Sequence, residues 1–167
     1  LAPGYAPIAA GRVTALDLDP VLKAPGVVAV LTADDIPGHN DMSPKEIGDD
    51  PILTPERVNF YGQVLFCVIA ETRDEARRAA KLARINTAMG MRVIDVDDAL
   101  VAATTVLPEY AFTRGDPTDE ITKAPREITG EFRIGGQEHF YLEGQIALAI
   151  PGEDGDRSEE RRVGKEG

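Results

Sequence analysis

Apolar and polar positions alternate through Gly11-Arg-Val-Thr-Ala-Leu-Asp-Leu-Asp19 once Arg12 is passed, the period-two signal of a half-buried strand. Pro20 to Ala24 reads as a short helical turn, stopped by the turn dipeptide Pro25-Gly26. Val27-Val-Ala-Val-Leu-Thr32 is a compact apolar run rich in β-branched residues and predicts a buried strand. Ala33 to Gly38 predicts one capped helical turn that Pro37 ends. From Gly38 to Pro55 the chain is rich in Pro, Gly, Asp and Asn, which predicts a long surface loop. Val58 to Ala70 is the clearest central strand, interrupted once at Gly62-Gln63. Thr72 and Glu75 have the spacing of a capping box. Behind them Ala76, Ala79, Ala80 and Ala83 recur at i, i+3, i+4 and i+7, a narrow face that packs close to a sheet. Arg73, Arg77, Arg78, Lys81 and Arg84 take the other side, read here as a solvated charged face, with a partner contact as the alternative. Arg84 to Val96 returns as an extended segment, and Asp95 to Leu100 predicts another capped turn. The order of strands, long loop and strand–helix–strand makes residues 1–107 a compact α+β unit.

From Pro108 the pattern changes. Phe112 to Pro117 is a turn-rich joint, Ile128–Ile134 predicts a strand, and Gln145–Ile150 predicts another, ended by Pro151-Gly152. Residues 108–155 therefore read as the beginning of a second unit with too few residues to close a core. The chain starts at Leu1, already inside a strand-like stretch, and is expected to be part of a longer polypeptide. Residues 156–167 change composition abruptly, to four basic and four acidic residues with a single Val. They match the translation of a common sequencing-adapter oligonucleotide and are expected to be a non-native tail, a solvated charged linker being the alternative.

Composition narrows the classes. The chain has 167 residues, 43% of them hydrophobic, and a net charge of −11 that the terminal segment does not alter. Such acidity argues against a nucleic-acid or anionic-membrane surface as the main partner. No run of about 18 apolar residues predicts a membrane span, and no secretory signal pattern opens the chain, so a cytoplasmic globular protein is expected. The single Cys67 rules out an internal disulfide framework and any all-cysteine metal site. Its place in an apolar strand makes it an inert core thiol. Asp34-Asp35, Asp49-Asp50 and Asp95/Asp97/Asp98 lack calcium-loop spacing, Arg114-Gly115-Asp116 reads as a turn, and no phosphate-cradling glycine loop is present.

One segment stands out. Gly135-Gly-Gln-Glu-His-Phe-Tyr-Leu-Glu143 sets one of two histidines beside two carboxylates and an amide. An extended conformation places Gln137, His139, Tyr141 and Glu143 on one face, and a helical one still aligns His139 with Glu143. On the residues alone, a satisfied hydrogen-bond network at a strand turn is the favoured reading. No second histidine follows at metalloprotease spacing, and His39 lies a hundred residues away, so a protein-ligated metal is not expected.

This segment resembles the opening of the molybdopterin-binding region of xanthine dehydrogenases, in the molybdenum hydroxylase family. Ala24-Pro-Gly-Val-Val-Ala-Val30, Thr32-Ala-Asp-Asp-Ile-Pro-Gly38 and Val58-Asn-Phe-Tyr-Gly-Gln63, with Val68-Ile-Ala-Glu-Thr72 and the alanine-faced helix, resemble the preceding a/b hammerhead domain. The motifs run in the family's order over residues 8–151. The resemblance implies an a/b hammerhead domain (1–107) followed by the truncated beginning of an α+β molybdopterin-binding domain (108–155). It implies a parent enzyme that hydroxylates hypoxanthine and xanthine to urate with water as oxygen source. Aldehyde-oxidising relatives keep the Gln, His and Glu but vary the residues between, so the purine branch is favoured. An aldehyde- or other N-heterocycle-oxidising relative, or a non-enzymatic interaction module, are the alternatives. The cofactor implied is a molybdenum held by a pterin dithiolene. Iron–sulfur clusters and FAD on a partner subunit or domain would carry electrons to NAD or oxygen, and the parent would be oligomeric. The family's catalytic glutamate lies in a Gly-Gly-Lys-Glu-type stretch beyond this chain, so no catalytic residue is expected here. Gln137, Glu138, His139 and Glu143 are expected to support the active-site wall, and the chain alone is expected to bind no pterin.

Overall fold

A computed structural model describes residues 1–43, 48–105, 108–140, 142, 145–151 and 157–163. The chain divides into two compact units, Leu1–Tyr110 and Ala111–Gly167.

The first unit is built from two three-stranded antiparallel sheets. One has the order β1 (Ala2–Tyr5), β5 (Val64–Ala70), β3 (Val27–Leu31); the other has the order β4 (Arg57–Val58), β2 (Gly11–Asp17), β6 (Arg84–Met89). Successive strands alternate between the sheets. As a result, each of the four pairings joins a strand from β1–β3 to one from β4–β6, across the long loop that the sequence predicts. α1 (Asp19–Leu22) begins as predicted, with Pro20 in its first turn and Val21 fully buried. Gly26 follows with φ 76° and lets the chain reverse into β3.

β5 is the centre of its sheet and of the core. Leu65, Phe66 and Val68 are buried with Ala2, Ala6, Val21, Val58, Ala76 and Ala79. Each large side chain so removed from water contributes roughly 1.5–3 kcal/mol relative to exposure. Gly4 has a steric role here: a Cβ at that position would come within 2.1–2.5 Å of the tip of the Phe66 ring. α2 (Arg73–Ala80) starts at the predicted capping box. Thr72 Oγ1 accepts the Glu75 N–H at 3.2 Å, and the Thr72 N–H donates back to Glu75 Oε2 at 3.0 Å. Its Ala76 and Ala79 are the buried positions, so the alanine face meets the sheet as its spacing requires.

Two expectations for this unit change. β3 is not a buried strand: it is the outer strand of its sheet, half-buried, and Val28 is 70% exposed. The interruption expected at Gly62-Gln63 is present, as a turn at Asn59–Gly62 in which Gly62 takes φ 83°, but the run it divides is not one central strand: β4 and β5 belong to different sheets. Gln63 is buried there, and its Oε1 accepts the Asn59 N–H at 2.8 Å. After β6, α3 (Val96–Ala102) is capped by Asp95, whose carboxylate accepts the Asp98 N–H at 2.9 Å.

The second unit contains a helix where the sequence pattern predicts only a turn-rich joint. The turn-rich joint is in fact the start of α4 (Pro117–Lys123), with Asp116 as N-cap, Pro117 in the first turn and Lys123 bonded to Asp119. The strand expected at Ile128–Ile134 is absent. Its alternation is real, but a strand needs a neighbour for its hydrogen bonds, and Ile128, Phe132 and Ile134 are 98%, 90% and 82% exposed. β7 (Gln145–Pro151) forms as predicted. It pairs with β8 (Arg157–Val163), so most of the charged run set aside as a tail is a strand in register from Gln145↔Val163 to Pro151↔Arg157.

Candidate functional site

Of the residues singled out in the 135–143 segment, Gln137, Glu138 and His139 lie in a stretch without regular secondary structure, and all three are exposed. Phe140 follows with φ 49° and is 91% exposed. Glu143 and Tyr141 lie outside the described residues. Two of the four residues of the expected polar face, Tyr141 and Glu143, thus fall outside the described residues, and Gln137 and His139 stand exposed. The surroundings are open as well: a Cβ added to Gly135 or Gly136 would meet nothing within 4 Å. Exposed side chains beside open glycines make no cradle for a pterin, which needs an enclosed, largely apolar site. The described residues of this segment do not fit the cofactor by themselves.

Better-organised polar geometry lies in the first unit, in the loop after β3. A short 3-10 turn at Ala33–Asp35 opens it, where Asp35 Oδ2 accepts the Thr32 N–H at 2.7 Å and the Thr32 hydroxyl at 2.9 Å. Those bonds hold the Asp35 carboxyl below its ordinary pKa. Asn40 then ties the loop shut, donating to the Leu53 carbonyl at 2.7 Å and accepting the Leu53 N–H at 3.0 Å. Asp41 gathers the segment between: its carboxylate accepts the Ser43 hydroxyl at 2.6 Å, the Ser43 N–H at 3.1 Å and the Gly48 N–H at 3.0 Å. These donors, the Ser43 hydroxyl foremost, hold Asp41 below its ordinary pKa. The sequence showed the loop as Asp- and Asn-rich but gave no sign of which acid organises it. Cys67 is half-buried in β5, between Pro3 of β1 and Leu31 of β3, and loss of hydration pushes its thiol pKa up, away from nucleophilic chemistry. Among the described residues no group of three or more His, Cys, Asp or Glu side chains is placed to hold a metal ion, and no helix is long and apolar enough to cross a membrane.

Comparison with known proteins gives these elements their context. Residues 2–88, more than half of the chain, match the family described as "Aldehyde oxidase and xanthine dehydrogenase, a/b hammerhead domain". The chain belongs to that family. Its alternating sheets and alanine-faced helix are the α+β hammerhead, and residues 101–159 match the molybdopterin cofactor-binding domain. Among similar proteins, the xanthine dehydrogenase/oxidase of Felis catus is 34% identical over 147 residues, 87% of this chain and 11% of that protein. Aldehyde oxidase 2 of Rattus norvegicus is 36% identical over 141 residues, 84% of this chain and 10% of that protein. The aldehyde oxidoreductase of Desulfovibrio gigas superposes with a TM-score of 0.78 at 25% identity, over 96% of this chain and 20% of that one. The hammerhead chain thus spans about a tenth of the length of the curated relatives it matches. These relatives are oxidoreductases, and the family is that of the molybdenum hydroxylases.

Proposed function

We propose that this chain is the hammerhead domain (1–107) and the opening of the molybdopterin-binding domain (108–155) of a xanthine dehydrogenase-type enzyme. In this reading the parent hydroxylates hypoxanthine and xanthine to urate, with water as oxygen source. The observation that carries the reading is the succession of two family matches on one chain, residues 2–88 and 101–159, with the Gly135–Glu143 motif inside the second. Electrons would leave through iron–sulfur clusters and FAD on a partner subunit or domain, to NAD or oxygen. The parent would be a cytoplasmic oligomer with no nucleic-acid or membrane partner.

Within this reading Gln137, Glu138, His139 and Glu143 brace the active-site wall once the rest of the cofactor domain encloses them. Open surroundings at Gly135 and Gly136 support a segment that awaits further chain to cover it. Replacing His139 by alanine in the complete enzyme is expected to lower molybdenum content or turnover, measured by metal analysis and steady-state rate. Unchanged metal and rate would remove His139 from the wall.

A second reading has a specific observation behind it. Aldehyde oxidase 2 is as similar to this chain as xanthine dehydrogenase is, and the superposing Desulfovibrio gigas structure is an aldehyde oxidoreductase. Assaying the complete parent with xanthine and with an aromatic aldehyde separates the two. Turnover of xanthine is the expected result, and turnover of the aldehyde alone would replace the purine assignment.

A further inference from the structure

The first unit carries a groove of about 590 Å³ between β1, α2 and the start of β6. Tyr5, Ala83 and Ile85 contribute its apolar lining, and Arg73, Arg77 and Lys81 stand along one wall. β1 and β6 are each the outermost strand of their own sheet, so each has main-chain groups on its open side that no strand among the described residues engages. Arg73, Arg77 and Lys81 are exposed and form no ion pair among the described residues, whereas Arg12, Lys23 and Arg84 of the same unit each meet a carboxylate. Arg57, Arg78 and Arg92 of this unit likewise meet no carboxylate among the described residues, so what sets Arg73, Arg77 and Lys81 apart is that they line one groove together.

We propose that this groove docks an extended acidic segment of a partner protein, with carboxylates on alternate residues. Spacing argues for that occupant. Cations at i, i+4 and i+8 of a helix rise about 6 Å per step. Alternate side chains of an extended strand advance about 6.6–6.8 Å per step. Three carboxylates at i, i+2 and i+4 of a strand therefore match Arg73, Arg77 and Lys81 one to one, while the residues between them face the apolar lining. Main-chain pairing with an open sheet edge would hold the segment extended. Pro3 has no N–H, so β1 offers only part of a ladder and the ionic contacts carry more of the recognition. A nucleic acid is disfavoured, since its continuous charge would meet the acidic remainder of the molecule. Each exposed pair is individually weak, so binding depends on all three cations and falls with salt.

The test uses the complete parent enzyme, with the rest of its polypeptide in place around the groove, and a fluorescein-labelled peptide of alternating glutamate and valine, read by anisotropy. The expected result is saturable binding that weakens at high salt and drops roughly tenfold on Arg77→Glu, a reversal of one paired charge. A lysine–valine peptide should bind the native chain more weakly than the glutamate peptide does. Circular dichroism checks that the variant is folded, and Lys81→Glu takes its place if it is not. No saturable binding of the glutamate peptide, equal binding by the charge-reversed variant, or tighter binding of a single-stranded oligodeoxynucleotide would each overturn the proposal.

Discussion

Asp41 shows how one side chain can organise a long loop. It is an acceptor for Ser43, Gly48 and Asp50, and those donors favour the charged carboxylate. A carboxyl whose folded pKa is lowered contributes stability that is complete above its unfolded value and is lost as pH falls through the folded one. The loop should therefore hold its structure down to the ordinary carboxylate value of 3.8 and loosen below it. The check is amide exchange at Gly48 and Asp50, which should lose protection in acid before the core strands do. Equal acid sensitivity at Val68 would contradict a local effect. Gly4 acts by absence of a side chain. Because the Phe66 ring occupies the space a Cβ would need, Gly4→Ala should destabilise the unit by about 1–3 kcal/mol, the usual cost of overpacking a filled core. Denaturant unfolding measures it, and a cost near zero would mean that Phe66 repacks freely.

At the scale of elements, local signals decided what could be read. The α2 cap was legible because Thr72 and Glu75 sit three residues apart and bond each other, so Thr72→Ala should cost about 1 kcal/mol in denaturant unfolding. A loss below a few tenths would show that tertiary packing alone fixes the helix start. β5 was legible from its unbroken apolar run. β3 carried a run of the same kind and was misjudged as buried, because whether a strand is central or outer is set by strand order rather than by its own residues. The α4 start carries the right cues, Asp116 before Pro117 and Asp119 in the first turn, but with little apolar periodicity after them they predict only a turn. Ile128–Ile134 shows the opposite failure, alternation without a neighbour to pair with. For the candidate site, the sequence located Gln137, Glu138 and His139 as a chemically dense stretch. Their exposure depends on what else is folded around them, which no local pattern encodes.

The whole first unit is governed by its connectivity. Since no pairing joins two strands from the same side of the 38–55 loop, no hairpin of adjacent strands can form early and template the rest. Chains dominated by such distant pairings pay loop-closure entropy before contacts repay it, and they fold slowly. The two sheets should also unfold together. Native-state hydrogen exchange should give the Leu16 amide in β2 and the Val68 amide in β5 the same opening free energy; clearly different values would mean that each sheet opens by itself. The same wiring has a practical reading. Severing the backbone within the loop would yield one piece carrying β1–β3 and another carrying β4–β6, neither with a mate inside its own piece. Such halves are suited to fragment complementation, each inert until the other arrives, with recovery of the buried Phe66 environment as the readout of their reunion.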